Sequence, residues 1–318
     1  MNNHPEVLAA DIGGTNIRLA RVLADGSIAE EVRVQTALSR SRHDNPESAR
    51  AHILETLCSA CRPLLDGADV DAMGIGFPGF FIGNSGILAS SPNLPQLHDF
   101  ALAEELGNQL GIKVSAQNDA LCAAIGEQRF GAGMGSENLL HVTLGTGVGG
   151  GLILNREAYT GEHGMAMEFG HLRIVRSAEA RACGCGGKGC VEPYASANAV
   201  AEQYAIQTSV VTDSRSIHKA ACKGDAAAIS VLQEAGSYLG QALAEAVKLL
   251  DIETVTISGG LTGAWDILYT PLMEQLNGNL IPPLKNKIRV LCSTLDDRGG
   301  LLGAATIAGV KGSPTQGA

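Results

Sequence analysis

The sequence predicts an α/β protein built from two related domains. Three observations carry that prediction. The chain has 318 residues, enough for two separate cores. It contains two apolar strand–glycine turn–strand units, "VLAADIGGTNIRLARVL" and "LLHVTLGTGVGGGLIL", about 130 residues apart. Between and after them, β-type runs alternate with helical periodicities.

The elements follow in order. "VLAAD" and "IRLARVL" read as strands divided by a glycine turn, and "EEVRVQTA" continues the sheet. Helical spacing runs from Pro46 to Leu65, and "AMGIGF" is a strand ending at Pro78-Gly79. "ALAEELGNQL" is helical, with Asp99 placed to cap it. "KVSAQND" is a strand leading into the helix "DALCAAIGEQRF". The second strand–turn–strand unit comes next, then a loop-rich stretch over 155–195. Helices dominate from Ser196 to Leu250, "ETVTIS" and "IRVLCST" are late strands, and "GGLLGAATIAGV" is a closing helix. The expected domains are 1–117, completed by the closing helix near 300–318, and 118–299.

Composition narrows the function classes. A net charge of −10 without any Lys/Arg run argues against a nucleic-acid partner, whose phosphates would need neutralising. No signal-peptide pattern opens the chain, and no apolar stretch reaches the ~20 residues that span a bilayer, so the cytosol is the expected location. Of the eight cysteines, Cys58 and Cys61 form C-x-x-C within a helical pattern. They read as buried helix-face thiols ahead of a redox pair.

Gly145 to Gly150 spell G-x-G-x-x-G, the dinucleotide fingerprint. That motif needs a helix directly after the glycines, with its N-terminus on the pyrophosphate. Here the β-type "GLILN" follows instead, so a dehydrogenase is not expected. Glycine/threonine turns between strands have another use: their amides can converge on phosphate oxygens. Gly13, Gly14 and Thr15 in the first turn, and Gly145, Thr146 and Gly147 in the second, are the candidates, with a tight hairpin as the alternative. Asp11, ending the first strand, suits Mg²⁺ beside phosphates or else caps its turn. Gly259 and Gly260 in "ISGG" would let backbone pass close to a base or ribose.

His171, Cys183, Cys185 and Cys190 give H-x11-C-x-C-x4-C, three thiolates and an imidazole that suit tetrahedral Zn²⁺. Four protein ligands close the site, so the zinc is expected to be structural. Asp119, where a strand passes into a helix, is placed either to accept a hydroxyl proton in phosphoryl transfer or to cap its helix.

Taken together, "DIGGTNIR", "GFPG", "QNDA", "GTGVGGG", "EFGH", "CGCGGKGCVE" and "ISGG" stand in the order of the ROK sugar kinases, which the chain resembles from about Leu8 to Ala308. "CVEPYASANAV" looks most like the bacterial glucokinases of that family. The resemblance implies the two-domain actin/hexokinase-like (ribonuclease H-like) fold, with ATP and sugar in an interdomain cleft. It implies an ATP- and Mg²⁺-dependent transfer to the 6-hydroxyl of glucose, feeding glycolysis, by a homodimer. Asn118 and Asp119 fall on the family's sugar-binding and catalytic pair, while Glu168, His171 and Glu192 carry over as sugar ligands. Gly79 and Asn93 carry over as pocket residues. The His of E-x-G-H is implied to hold zinc with one nitrogen and face the sugar with the other.

One departure bears on the sugar: Met167 stands where the family usually has glycine, just before Glu168. An N-acetylmannosamine or N-acetylglucosamine kinase is therefore the alternative enzyme. A sugar-sensing repressor is the alternative of another class. It is less expected, because "DIGGT" begins at residue 11 and leaves no room ahead of it for a DNA-binding module.

Overall fold

A computed structural model describes residues 6–13, 16–35, 45–92 and 94–311. In chain order the elements are β1 (Glu6–Ile12), β2 (Asn16–Val22), β3 (Ile28–Gln35), α1 (Pro46–Leu65) and β4 (Val70–Phe77). Three short strands follow, β5 (Phe80–Phe81), β6 (Leu88–Ser90) and β7 (His98–Phe100), then α2 (Leu102–Leu110), β8 (Lys113–Asn118) and α3 (Asp119–Phe130). The next are β9 (Leu139–Leu144), β10 (Val148–Leu154), β11 (Glu157–Ala158), α4 (Glu192–Ala195), α5 (Ala197–Thr208) and α6 (Ser214–Ala221). The last are α7 (Ala226–Leu250), β12 (Thr254–Ser258), α8 (Trp265–Asn279), β13 (Arg289–Cys292) and α9 (Gly299–Ile307).

The two main sheets repeat one plan. The first has the order β3-β2-β1-β4-β8, and the second the order β11-β10-β9-β12-β13. In the first, β1 pairs antiparallel with β2 and parallel with β4, and β4 runs parallel to β8. In the second, β12 is parallel to both β9 and β13. The duplication legible in the two glycine turns is therefore a duplication of whole sheets.

The chain divides into two compact units: Met1–Glu137 with Gly151–Ala166 and Arg298–Ala318, and Asn138–Gly150 with Met167–Asp297. The first unit runs past residue 117, the boundary drawn from the sequence. The reason is α3, which packs against α9 so closely that Gly303 abuts the Cys122 carbonyl. No side chain larger than hydrogen fits there.

Local rules explain most elements. Helix α1 begins where the Asn45 Oδ1 accepts the Ser48 N–H at 2.9 Å, with Pro46 as its first residue. Its inner stripe, Ala49, Ile53, Leu57, Cys61 and Leu64, is buried at helical spacing. Cys61 lies in that stripe and Cys58 is buried beside it, neither in a disulfide, and burial pushes Cys61 up to about 12. Asp99 does not cap α2: the helix starts from Ala101 with no side-chain cap, and Asp99 has a left-handed backbone (φ 47°). Helix α8 went unread because Pro271 interrupts its pattern, yet Leu268, Leu272 and Leu276 bury one face at spacing four. No helix among the described residues is long and apolar enough to cross a membrane.

Candidate active site and metal centre

In the first unit, three parallel strands end together. The register sets Asp11 of β1 beside Gly76 of β4, and Phe77 beside Asn118 of β8. Asp11, the turn through Gly79, and the Asn118-Asp119 step consequently share one carboxyl end of a sheet, where open α/β folds gather ligands. Asn118 is the N-cap of α3, its Oδ1 accepting the Leu121 N–H at 3.0 Å. Its Nδ2 donates to the Gly79 carbonyl at 3.1 Å, so one side chain fixes both the helix start and the neighbouring turn.

That assignment frees Asp119 from capping. Its Oδ1 accepts the Ala120 N–H at 2.9 Å, and burial raises its pKa against the lowering effect of backbone hydrogen bonds. One turn along, the fully buried Cys122 thiol is pushed far up by burial and then by the charges of Asp11 and Asp119. Both carboxylates thus bear on one low-dielectric spot. A methyl group at Gly300, in the first turn of α9, would lie 3.0 Å from the Asp11 carboxylate, so the chain passes close over it. The first glycine turn is closed by the Gly13 N–H donating to the Asn16 carbonyl at 2.8 Å. Gly14, Thr15 and Asn93 lie outside the described residues.

In the second unit the turn Gly145–Gly147 is closed likewise, the Gly145 N–H donating to the Gly147 carbonyl at 3.0 Å. The structure brings Glu192 to this turn: its Oε2 accepts the Val148 N–H at 3.0 Å. A Cβ on Gly147 would meet that same oxygen, so glycine lets the carboxylate sit this close to the turn. Two roles read separately from the sequence, a phosphate turn and a sugar carboxylate, are here in direct contact. The amides of Gly145 and Val148 are engaged, while Thr146 at the tip is exposed. Gly259 and Gly260 follow β12, whose Ser258 stands beside Thr143 of β9, so this second glycine pair emerges next to the first turn.

Glu168 precedes and His171 ends a single 3₁₀ turn (Phe169–His171). The His171 Nε2 is 3.6 Å from the Glu168 Oε2, and its Nδ1 is 3.5 Å from the Cys183 Sγ. Each ring nitrogen therefore faces a different partner. Met167, just before, has φ 69°, and its carbonyl lies 2.6 Å from where a Cβ on Gly150 would be. An L side chain in this region costs about 1 kcal/mol that glycine avoids. Met167→Gly is expected to raise the melting temperature by about 2 °C in a thermal scan; a clear drop would mean that the Met167 side chain contributes more by packing than its backbone costs.

His171, Cys183, Cys185 and Cys190 hold their ligand atoms within 4.8 Å of one another. The Cys185 and Cys190 sulfurs are 3.8 Å apart. A tetrahedral zinc with ordinary bond lengths needs S···S edges of about 3.8 Å and N···S edges of about 3.6 Å, and the observed 3.8 and 3.5 Å fit. Among the thiols, the Gly187 amide lowers the pKa of Cys185, while burial pushes Cys190 up to about 12. The cluster also ties the chain together, since Cys190 bridges to Arg173 and the Val191 N–H donates to the Leu172 carbonyl at 3.0 Å. Glu192 follows directly.

Two features near these residues carry no distinct signal in the sequence. Gly300 was read only as part of a closing helix. His141 was read only as part of a strand, although "LLHVTL" alternates polar residues with apolar ones.

The ROK family profile matches residues 7–311. A glucokinase of Thermotoga maritima is 32% identical, over 95% of this chain and 96% of that protein. An N-acetyl-D-glucosamine kinase of Erwinia tasmaniensis is 30% identical, over 93% and 96%. Among solved structures, the ROK family glucokinase of Streptomyces griseus, in complex with glucose and AMPPNP, superposes with a TM-score of 0.81 at 30% identity, covering 95% of this chain and 99% of that one. With the duplicated sheets already described, these likenesses establish the actin/hexokinase-like fold, and the chain is a member of the ROK family.

Proposed function

We propose that this protein is an ATP- and Mg²⁺-dependent hexose kinase that phosphorylates the 6-hydroxyl of glucose. The observation that carries the proposal is Asp119: a desolvated carboxylate at the carboxyl ends of three parallel strands, with helix capping assigned to its neighbour Asn118. Asp119 accepts the proton of the sugar hydroxyl as that oxygen bonds the γ-phosphorus and the bond to the ADP oxygen breaks. A raised pKa makes it a better proton acceptor than an ordinary carboxylate.

Glu168, Glu192 and the Nε2 side of His171 bind sugar hydroxyls, with Asn118 and the Gly79 turn as further contacts; Asn93 is assigned to the same pocket by resemblance alone. Gly14, Thr15, Thr146 and Gly147 offer backbone amides to phosphate, Gly13 shapes its turn with its own amide engaged by Asn16, and Gly259-Gly260 passes close to the nucleoside. Gly145 shapes its turn while its own amide stays engaged with Gly147. Asp11 is placed to hold Mg²⁺, which supplies charge neutralisation at the phosphates. His171, Cys183, Cys185 and Cys190 hold Zn²⁺, whose contribution with four protein ligands is structural. With zinc held there, His171 would keep its ring orientation, and Cys190 would hold the position of Glu192. ATP use would suit a cytosolic protein, and the family resemblance supports a homodimer.

Glucose is supported by the relatives named glucokinase at 31–32% identity. An N-acetylhexosamine is the second reading, favoured by the left-handed Met167 beside Glu168 and by the Erwinia relative. A panel of glucose, mannose, N-acetylglucosamine and N-acetylmannosamine in an ADP-coupled assay separates them. Glucose is expected to give the highest kcat/KM; an N-acetyl sugar ahead of it would replace the glucose assignment.

A further inference from the structure

A polar cluster lies buried inside the second unit where an apolar core would be expected. Strands β9 and β12 are parallel neighbours, with Thr256 beside His141 and Ser258 beside Thr143. Alternation puts all four on one face of the sheet. His141 and Thr256 are fully buried and Ser258 is 8% exposed. The imidazole is the hub. Its Nδ1 is 2.9 Å from the Thr256 Oγ1, and its Nε2 is 3.0 Å from the Ser258 Oγ and 3.2 Å from the Thr143 Oγ1. Burial drives the His141 pKa down to about 3, so the ring is neutral, with one nitrogen donating and the other accepting.

The position of this hub is what gives it meaning. Thr143 stands two residues before Gly145, and Ser258 directly precedes Gly259. Gly259 has φ 98°, and a Cβ there would collide with the Leu144 carbonyl, so the two turns leave their strands in mutual contact. A side chain that bonds the last turn-proximal hydroxyl of each strand sets the spacing between the turns. We infer that His141 is a positioning residue for nucleotide: through Thr143 and Ser258 it locks the Gly145–Gly147 turn to the Gly259-Gly260 turn, so that both meet one nucleotide in a fixed geometry. The inference rests on the kinase reading of these turns and adds the residue that spaces them.

A purely structural hydroxyl network would lower stability without preference between ligands. A spacer of the nucleotide turns weakens nucleotide far more than sugar, which meets the first turn only through the Glu192 contact with the Val148 N–H. The test is calorimetric titration of the full chain with AMPPNP–Mg²⁺ and, separately, with glucose, alongside melting temperatures. Thr143→Val and Ser258→Ala each remove one arm with little change of volume, and keep the test alive if His141→Ala does not fold. Each is expected to raise the AMPPNP Kd by about tenfold and leave the glucose Kd within about twofold. His141→Gln, which can still donate and accept at once, is expected to recover most of the affinity lost in His141→Ala. Equal loss of both ligands in step with the melting temperature, or unchanged AMPPNP affinity in both single-arm variants, would overturn the assignment. Wild-type protein that binds glucose but no AMPPNP would instead overturn the kinase reading, and the spacer role with it.

Discussion

Asp119→Asn is expected to lower kcat for sugar phosphorylation by about 10³-fold or more while changing the sugar KM little, because it removes the proton acceptor and keeps the side chain's shape. Asparagine retains an Oδ1 for the Ala120 N–H, so the start of α3 should survive. The same variant carries a stability signature of opposite sign. Burial raises the Asp119 pKa in the folded protein, so the native state holds that proton more tightly than the unfolded chain does. Such a group costs stability fully above its folded-state pKa, and the cost disappears as pH falls through the ordinary carboxylate value of about 4. Asp119→Asn should therefore melt above wild type at neutral pH, with the gap closing in acid. The wild-type pH–rate profile should lose activity on its acid limb as Asp119 is protonated. A variant that is inactive and also destabilised at neutral pH would point to a structural aspartate. Near-wild-type turnover would remove Asp119 from the base role.

Loss of the proposed zinc is expected to have the second large effect. Protein purified without chelators should carry about one zinc per chain, and Cys185→Ser or Cys190→Ser should lose it. Structural zinc contributes several kcal/mol, so the melting temperature of either variant should fall on the order of 10 °C. Because Cys190 and Val191 tie back to Arg173 and Leu172, the segment carrying Glu192 and His171 should loosen, raising the sugar KM more than the nucleotide KM. Cys222→Ser, an exposed thiol outside the cluster, is the control and should leave metal content and melting unchanged. Zinc retained in full by the Cys185 and Cys190 variants would contradict the four-ligand site.

Much of this was legible in the residues because it rests on local rules. The bounds of α1 follow from Asn45, Pro46 and a stripe at spacing four. The donors at His171, Cys183, Cys185 and Cys190 were legible from ligand chemistry and spacing, and the fold brings their atoms together. What stayed hidden depends on contacts distant in sequence. That Asn118 caps α3 while also holding the Gly79 turn requires knowing that β4 and β8 are neighbours. The meeting of Glu192 with Gly147 spans 45 positions of chain, and neither residue announces the other. Helix α3 was assigned to the wrong side of a boundary for the same reason: only its packing on α9, from the far end of the sequence, shows which unit it belongs to. Met167 is the instructive middle case. Its departure from glycine was visible in the sequence, and the left-handed backbone supplies the physical reason glycine suits that position.

The central claim is that this site moves a phosphoryl group from ATP to the 6-hydroxyl of a hexose with Asp119 as proton acceptor. Proton-coupled phosphorus NMR of purified protein with ATP, Mg²⁺ and glucose tests it most directly. A new monoester signal split as a triplet by the two protons on C6 is the predicted result, growing as ADP forms and absent with Asp119→Asn. A doublet from the anomeric position, or ATP consumed to free phosphate alone, would contradict it.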